Sequence, residues 1–157
     1  MFFKKDKSGE ILLPVDGKII ELGEVPDKVF SDKLLGDGAA VMPEKNVITS
    51  PVSGKIVQVF DTKHAYTITS DDGLEILIHI GLNTVELKGE GFEALVKEGD
   101  RVAAGDKLAI VNLEDIAERG YMLYTPVVIT NMERIKSFEV CKDTTTSKNA
   151  MIKYKLK

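Results

Sequence analysis

Two alternating apolar runs meet at Ser70-Asp71-Asp72-Gly73, and each run carries one of the chain's two histidines at its far end, His64 and His79. Tyr66, Thr67, Ile68 and Thr69 lie on one side, and Leu74, Ile76, Leu77, Ile78 and Ile80 on the other. Asp and Gly tolerate the positive φ of hairpin turns, so the segment predicts a β-hairpin. A symmetric loop of Asp71-Asp72, or of 70–73, sets His64 directly opposite His79. A loop of Asp72-Gly73 makes the two diagonal neighbours. In each case period-2 alternation predicts imidazoles on one face, beside Tyr66, Ile68 and Leu77. Directly opposed Cβ atoms lie roughly 4.5–5.5 Å apart, close enough to make a joint site.

The rest of the chain follows the same pattern. Short apolar runs at 11–13, 18–22, 39–43, 46–49, 54–60, 65–69, 75–80, 101–102, 107–112, 125–129, 137–142 and 151–154 are broken by Gly, Pro, Asp and Asn. The spacing predicts an all-β fold, an antiparallel β-sandwich or barrel with Greek-key or jelly-roll-like connections. Short helical turns are expected at 27–35, 92–97 and 113–119. Pro14-Val15-Asp16-Gly17-Lys18-Ile19-Ile20 recurs 37 residues later as Pro51-Val52-Ser53-Gly54-Lys55-Ile56-Val57, which suggests pseudo-symmetric halves. Two Gly-Asp turns, at Gly99 and Gly105, resemble those of lipoyl and biotinyl carrier domains. Lys107 opens a strand instead of capping a hairpin tip, so that segment reads as architecture only.

At 157 residues the chain is long enough to bury a core without disulfides, and the expectation is a flexible leader over 1–9 and one domain over 10–157. One cysteine, Cys141, and an amino terminus charged from Lys4 onward fit a cytoplasmic protein. No run approaches the ~18 apolar residues of a membrane span. Phe2 and Phe3 before the lysines could touch a membrane weakly, although a disordered tail is the simpler reading. The opening Met1 favours a free protein over an excised permease segment. A formal charge of −4 excludes nucleic acid as a natural partner.

The histidine pair admits four chemistries. The residues could be structural, satisfied by backbone carbonyls. As zinc ligands, His64 and His79 would need further partners, because the chain has no His-x-His and no Cys-x-x-Cys. As an acid/base pair they would need an orienting carboxylate, for which Asp61 or Glu75 could serve. As a phosphoryl station, one imidazole attacks phosphorus while its neighbour donates to the phosphoryl oxygens, with a hydroxyl and no metal. Thr62, two residues before His64, offers the hydroxyl. Gly81 lets the backbone pass near His79, so that a carbonyl there could accept from Nδ1–H and leave Nε2 free.

Phe60-Asp61-Thr62-Lys63-His64-Ala65-Tyr66 and the run from Ile78-His79-Ile80-Gly81 through Asn83-Thr84-Val85-Glu86-Leu87-Lys88-Gly89-Glu90-Gly91-Phe92 closely resemble the glucose-class enzyme IIA of the bacterial phosphoenolpyruvate:sugar phosphotransferase system. The resemblance continues in Val25-Pro26-Asp27-Lys28-Val29-Phe30, Gly36-Asp37-Gly38, Pro51-Val52-Ser53-Gly54 and Thr125-Pro126-Val127-Val128-Ile129-Thr130-Asn131, and spans roughly residues 10–157. It implies an antiparallel β-sandwich that takes a phosphoryl group from the phosphohistidine of HPr. The group then passes to a cysteine on the IIB domain of a sugar permease. By position, His79 is the implied acceptor through Nε2, with His64 and Thr62 in support. Asp27, Val29, Phe30, Phe60, Leu77, Ile80 and Asn83 form the implied docking rim. Many members carry Asp where this chain has Asn83. No cofactor is required, and a monomer is expected. An alternative is a regulatory binding module whose apolar face holds other proteins, with zinc shared between His64, His79 and a partner's carboxylate.

Overall fold

The computed structural model describes residues 7–157. Thirteen strands follow in order: β1 (Ser8–Leu12), β2 (Gly17–Glu21), β3 (Asp37–Pro43), β4 (Val47–Thr49), β5 (Gly54–Val59), β6 (Ala65–Ser70), β7 (Glu75–His79), β8 (Phe92–Ala94), β9 (Arg101–Val102), β10 (Lys107–Val111), β11 (Thr125–Ile129), β12 (Ile135–Val140) and β13 (Ala150–Leu156). All pairings are antiparallel. A seven-stranded sheet runs β2-β3-β11-β7-β6-β5-β9, beside three-stranded sheets β1-β13-β12 and β4-β10-β8. The fold is an open sandwich and not a closed barrel. Among the described residues no helix is long and apolar enough to cross a membrane.

Two apolar layers follow from strand alternation. Ile76 and Ile78, Tyr66 and Ile68, Val127 and Ile129, and Ala39 and Val41 point into the main core, which all three sheets share. Their neighbours Leu77, Ala65, Val128 and Ala40 point to the opposite face, where Leu22, Val25, Phe30 and Leu82 cover them. This smaller cluster is the floor of the histidine site. It also corrects an expectation: Tyr66 and Ile68 face the main core, and only Leu77 shares the histidine face.

The repeated heptapeptide is a reciprocal crossing. Thr49 donates its backbone N–H to the Pro14 carbonyl at 2.8 Å, and Leu12 donates to the Pro51 carbonyl at 2.9 Å. One residue on, Leu13 donates to Asn149 and Ser50 to Asp106. Each copy then enters a strand at its glycine, β2 or β5.

Several expected boundaries move. Residues 8–9 of the supposed leader pair in β1 with Lys155 and Tyr154. The remainder of that leader, with Phe2 and Phe3, lies outside the described residues except for Lys7. The turn expected at 92–97 is not helical: Phe92 is buried, Glu93 is exposed, and both pair with β10 as part of the three-residue strand β8. The turns expected at 27–35 and 113–119 exist but are shorter, α1 (Lys28–Ser31) and α2 (Leu113–Glu118), capped by the side chains of Asp27 and Asn112. Single 3-10 turns at Leu22–Glu24, Thr84–Leu87 and Met132–Arg134 add to them.

Candidate functional site

The hairpin register differs from all three expected loops. Ala65 faces His79, Tyr66 faces Ile78 and Thr69 faces Glu75. The loop is therefore Asp71-Asp72-Gly73, closed by the Ser70 N–H on the Leu74 carbonyl, with Gly73 at φ +92°. Asp72 is held by the hydroxyls of Ser70 and Tyr154. A three-residue loop with a left-handed third residue is the usual odd-register hairpin. In an uninterrupted strand it would turn His64 away from His79. The strand instead ends at Ala65, and the preceding turn, with Lys63 at φ +57°, swings His64 back over the outer face. The imidazoles share a face, but through this turn and not through the pleat.

The two rings meet edge to face, 86° apart with centroids 4.8 Å from each other. His64 is 3% exposed. Its Nδ1 is 2.7 Å from Thr62 Oγ1, and Phe60 stands T-shaped against the ring at 5.6 Å. His79 is half-buried, its ring tilted against Phe30 at 5.0 Å. Nδ1 of His79 lies 2.7 Å from the Gly81 carbonyl oxygen. A carbonyl only accepts, so Nδ1 of His79 carries the proton and Nε2 keeps its lone pair.

Burial controls the charge of both rings. It lowers the His64 pKa to about 4, with the neighbouring His79 adding to the effect. Burial also lowers the His79 pKa, partly offset by the Gly81 carbonyl and by the charge of Asp27. At neutral pH both imidazoles are uncharged, and His79 presents a free nucleophilic nitrogen to a second, neutral ring. The carboxylate whose charge acts on His79 is Asp27, and neither Asp61 nor Glu75 is among the groups that shift either ring. Among the described residues no group of three His, Cys, Asp or Glu could hold a metal ion. Zinc at His64 and His79 would need ligands from elsewhere.

The rim residues divide. Asp27 caps α1, its carboxylate accepting from the Val29 N–H at 3.0 Å. Val29 is exposed, Phe60 is half-buried, and Phe30 and Leu77 are buried in the outer cluster. Ile80 does not belong to the rim: it is 2% exposed and points into the main core. As the residue that follows His79 at the end of β7, it faces the other way. Asn83 is exposed, at φ 59° and ψ 14°, with no side-chain cap. Asn tolerates this left-handed conformation better than most residues, which gives it a backbone reason to be there. Leu34, Leu35, Val85 and Met122 are further exposed apolar residues that the sequence reading left out. It also assigned no role to Thr84, which is fully buried and donates to the Ile80 carbonyl. A threonine inside an Asn-Thr-Val turn carries no sequence signal of burial.

Residues 9–135 match the EIIA 1 family of the phosphoenolpyruvate-dependent sugar phosphotransferase system. The glucose-specific EIIA component of Buchnera aphidicola is 43% identical over 150 residues, 96% of this chain and 93% of its own length. The glucose-specific EIICBA component of Staphylococcus carnosus is 46% identical over 124 residues, 79% of this chain but 18% of that much longer protein. The solved structure of glucose permease IIA from Mycoplasma capricolum superposes with a TM-score of 0.89 at 41% identity, covering 98% of this chain and 99% of that one. Its sandwich, its paired histidines and these relatives together make the chain a member of the EIIA 1 family, a phosphoryl-transfer component of the sugar phosphotransferase system.

Proposed function

We propose that this protein accepts a phosphoryl group on Nε2 of His79 from the phosphohistidine of HPr and passes it to a cysteine of the IIB domain of a glucose-class permease. One observation carries the assignment: Nδ1 of His79 is committed to the Gly81 carbonyl, so the lone pair on Nε2 is free beside a second neutral imidazole. In the forward step the Nε2 lone pair forms a bond to phosphorus. The donor's N–P bond breaks, and its electron pair stays on the donor nitrogen. Positive charge develops on the His79 ring, where the Gly81 carbonyl strengthens its hold on Nδ1–H.

His64 supports the group. Neutral His64 has one N–H, and a Thr62 hydroxyl that donates to Nδ1 puts that proton on Nε2. That N–H donates to a phosphoryl oxygen. Val29, Phe30, Phe60 and Leu77, with Asp27 and Asn83 at the edge, form the docking face, and their apolar surface keeps water from the labile P–N bond. No resident cofactor is needed. The IIB partner is supported by the Staphylococcus relative, named as a joined EIICBA protein. The transfer takes place in the cytoplasm. A zinc ion shared by His64, His79 and a partner's carboxylate is a second reading, supported by two neutral imidazoles with centroids 4.8 Å apart. Calorimetry with zinc and each partner tests it, and binding that survives loss of either histidine would exclude it.

Incubation with phosphoenolpyruvate, enzyme I and HPr should add one acid-labile phosphate. His79→Ala should take up none. His64→Ala should still be phosphorylated but pass the group on poorly. Normal labelling of His79→Ala would refute the assignment.

A further inference from the structure

The nucleophile depends on where one carbonyl points, and that direction is set by two clamps on the Gly81 turn. On one side, the Leu82 N–H donates to the Met122 carbonyl at 3.0 Å. In a trans peptide the N–H and C=O point oppositely. The Gly81 carbonyl is therefore aimed away from Met122, and there it meets Nδ1 of His79. On the other side, the Thr84 hydroxyl donates to the Ile80 carbonyl at 2.5 Å, which fixes the Ile80–Gly81 peptide. Thr84 is 0% exposed, and a Cβ on Gly81 would stand 2.6 Å from its methyl group. The Ile80 N–H, in turn, is tied to the His64 carbonyl at 2.7 Å, so the same turn also anchors the second histidine's backbone.

We propose that Thr84 is a positioning residue for the acceptor: its buried hydroxyl, bonded to the Ile80 carbonyl, holds the turn that aims the Gly81 carbonyl at Nδ1 of His79 and so selects the tautomer with Nε2 free. The proposal rests on the reading that His79 is the acceptor. A merely structural threonine would affect stability alone. A positioning threonine also affects which ring nitrogen of His79 carries the proton.

The test is long-range 1H–15N correlation on the full chain, paired with transfer kinetics from phospho-HPr. In the wild type the two His79 nitrogens should have well-separated shifts, with the proton on Nδ1. In Thr84→Val, which keeps the shape and removes the hydroxyl, the shifts should converge as the tautomers mix. There kcat should fall about tenfold or more with KM for phospho-HPr unchanged, as expected when a reacting group loses its orientation. Thr84→Ser keeps the hydroxyl and should restore both readouts. A wild-type tautomer pattern in Thr84→Val overturns the proposal whatever its melting temperature, and so does a rate defect that Thr84→Ser fails to rescue. Should the valine variant not fold, the wild type alone still decides, because a Thr84 hydroxyl proton in fast exchange with water is incompatible with the proposed bond. Normal labelling of His79→Ala would sink the acceptor assignment and leave the tautomer result standing, so the two failures are separable.

Discussion

Acidification should destabilise this protein through His64, by an amount that the burial of its ring sets. In the folded chain His64 takes up a proton only at about pH 4, whereas the exposed imidazole of the unfolded chain does so near 6.5. The unfolded state therefore binds the proton first. Above pH 7 the residue contributes nothing to the pH dependence. Between 6.5 and 4 stability falls, and below 4 the loss levels off. At ~1.4 kcal/mol per pKa unit, the loss between pH 7.5 and pH 4.5 is roughly 2–3 kcal/mol from this one residue. The assay is urea unfolding at the two pH values for the wild type and His64→Gln. Absolute stabilities will differ, so the quantity read is the difference between the two pH-dependent losses, with the wild type losing roughly 2–3 kcal/mol more. Titration of the His64 ring by NMR in the folded protein should give a midpoint near 4. A midpoint near 6.5, or equal losses in the two proteins, would refute the argument that burial keeps this imidazole neutral.

Tyr66→Phe should raise stability by about 1 kcal/mol in the same assay. The Tyr66 hydroxyl is fully buried with no hydrogen-bond partner among the described residues, and burial pushes its pKa up to about 12. Gly81→Ala should cost about 2 kcal/mol or more and depress phosphoryl uptake, because φ is +76° and the new methyl would meet Thr84 at 2.6 Å and the Met122 carbonyl at 3.1 Å. Asn83→Asp should lower the equilibrium constant for phosphorylation about 1.4- to fivefold at low salt and less at high salt, since exposed charges interact by about 0.2–1 kcal/mol. Equal phosphate occupancy in the two proteins at low salt would show that the position is electrostatically silent.

Much of this architecture is legible in the sequence, and its gaps have physical causes. Alternation predicts the strands, and a glycine two residues after His79 predicts a backbone carbonyl at its Nδ1, which is that of Gly81. Alternation could not settle the hairpin register, because Ser70-Asp71-Asp72-Gly73 suits loops of two, three or four residues equally. What decides among them is tertiary: Tyr154, from the far end of the chain, holds Asp72. The return of His64 to the face of His79 depends on a left-handed lysine at position 63, a conformation that composition does not announce. Segment 92–97 reads ambiguously because its strand, Phe92–Ala94, is too short to separate period 2 from period 3.6. The error at Ile80 was avoidable, since its place next to His79 on a strand already assigned it to the opposite face.

The outer apolar cluster explains why the two histidines can do unequal work. Phe30 stands against the His79 ring and Phe60 against the His64 ring, both from this cluster, and burial there keeps the two imidazoles uncharged at neutral pH. Two neutral imidazoles 4.8 Å apart avoid the repulsion that two cations would suffer. Neutrality leaves each ring with a single proton, so the second partner of each ring determines its role. A carbonyl can only accept, and it forces His79 to keep Nδ1–H and expose a lone pair. A hydroxyl can donate, and it allows His64 to keep Nε2–H and expose a donor. On the proposed assignment, exchanging those partners would exchange nucleophile and support. In the proposed transfer, the difference between Gly81 and Thr62, and not a difference between the histidines, makes the pair directional.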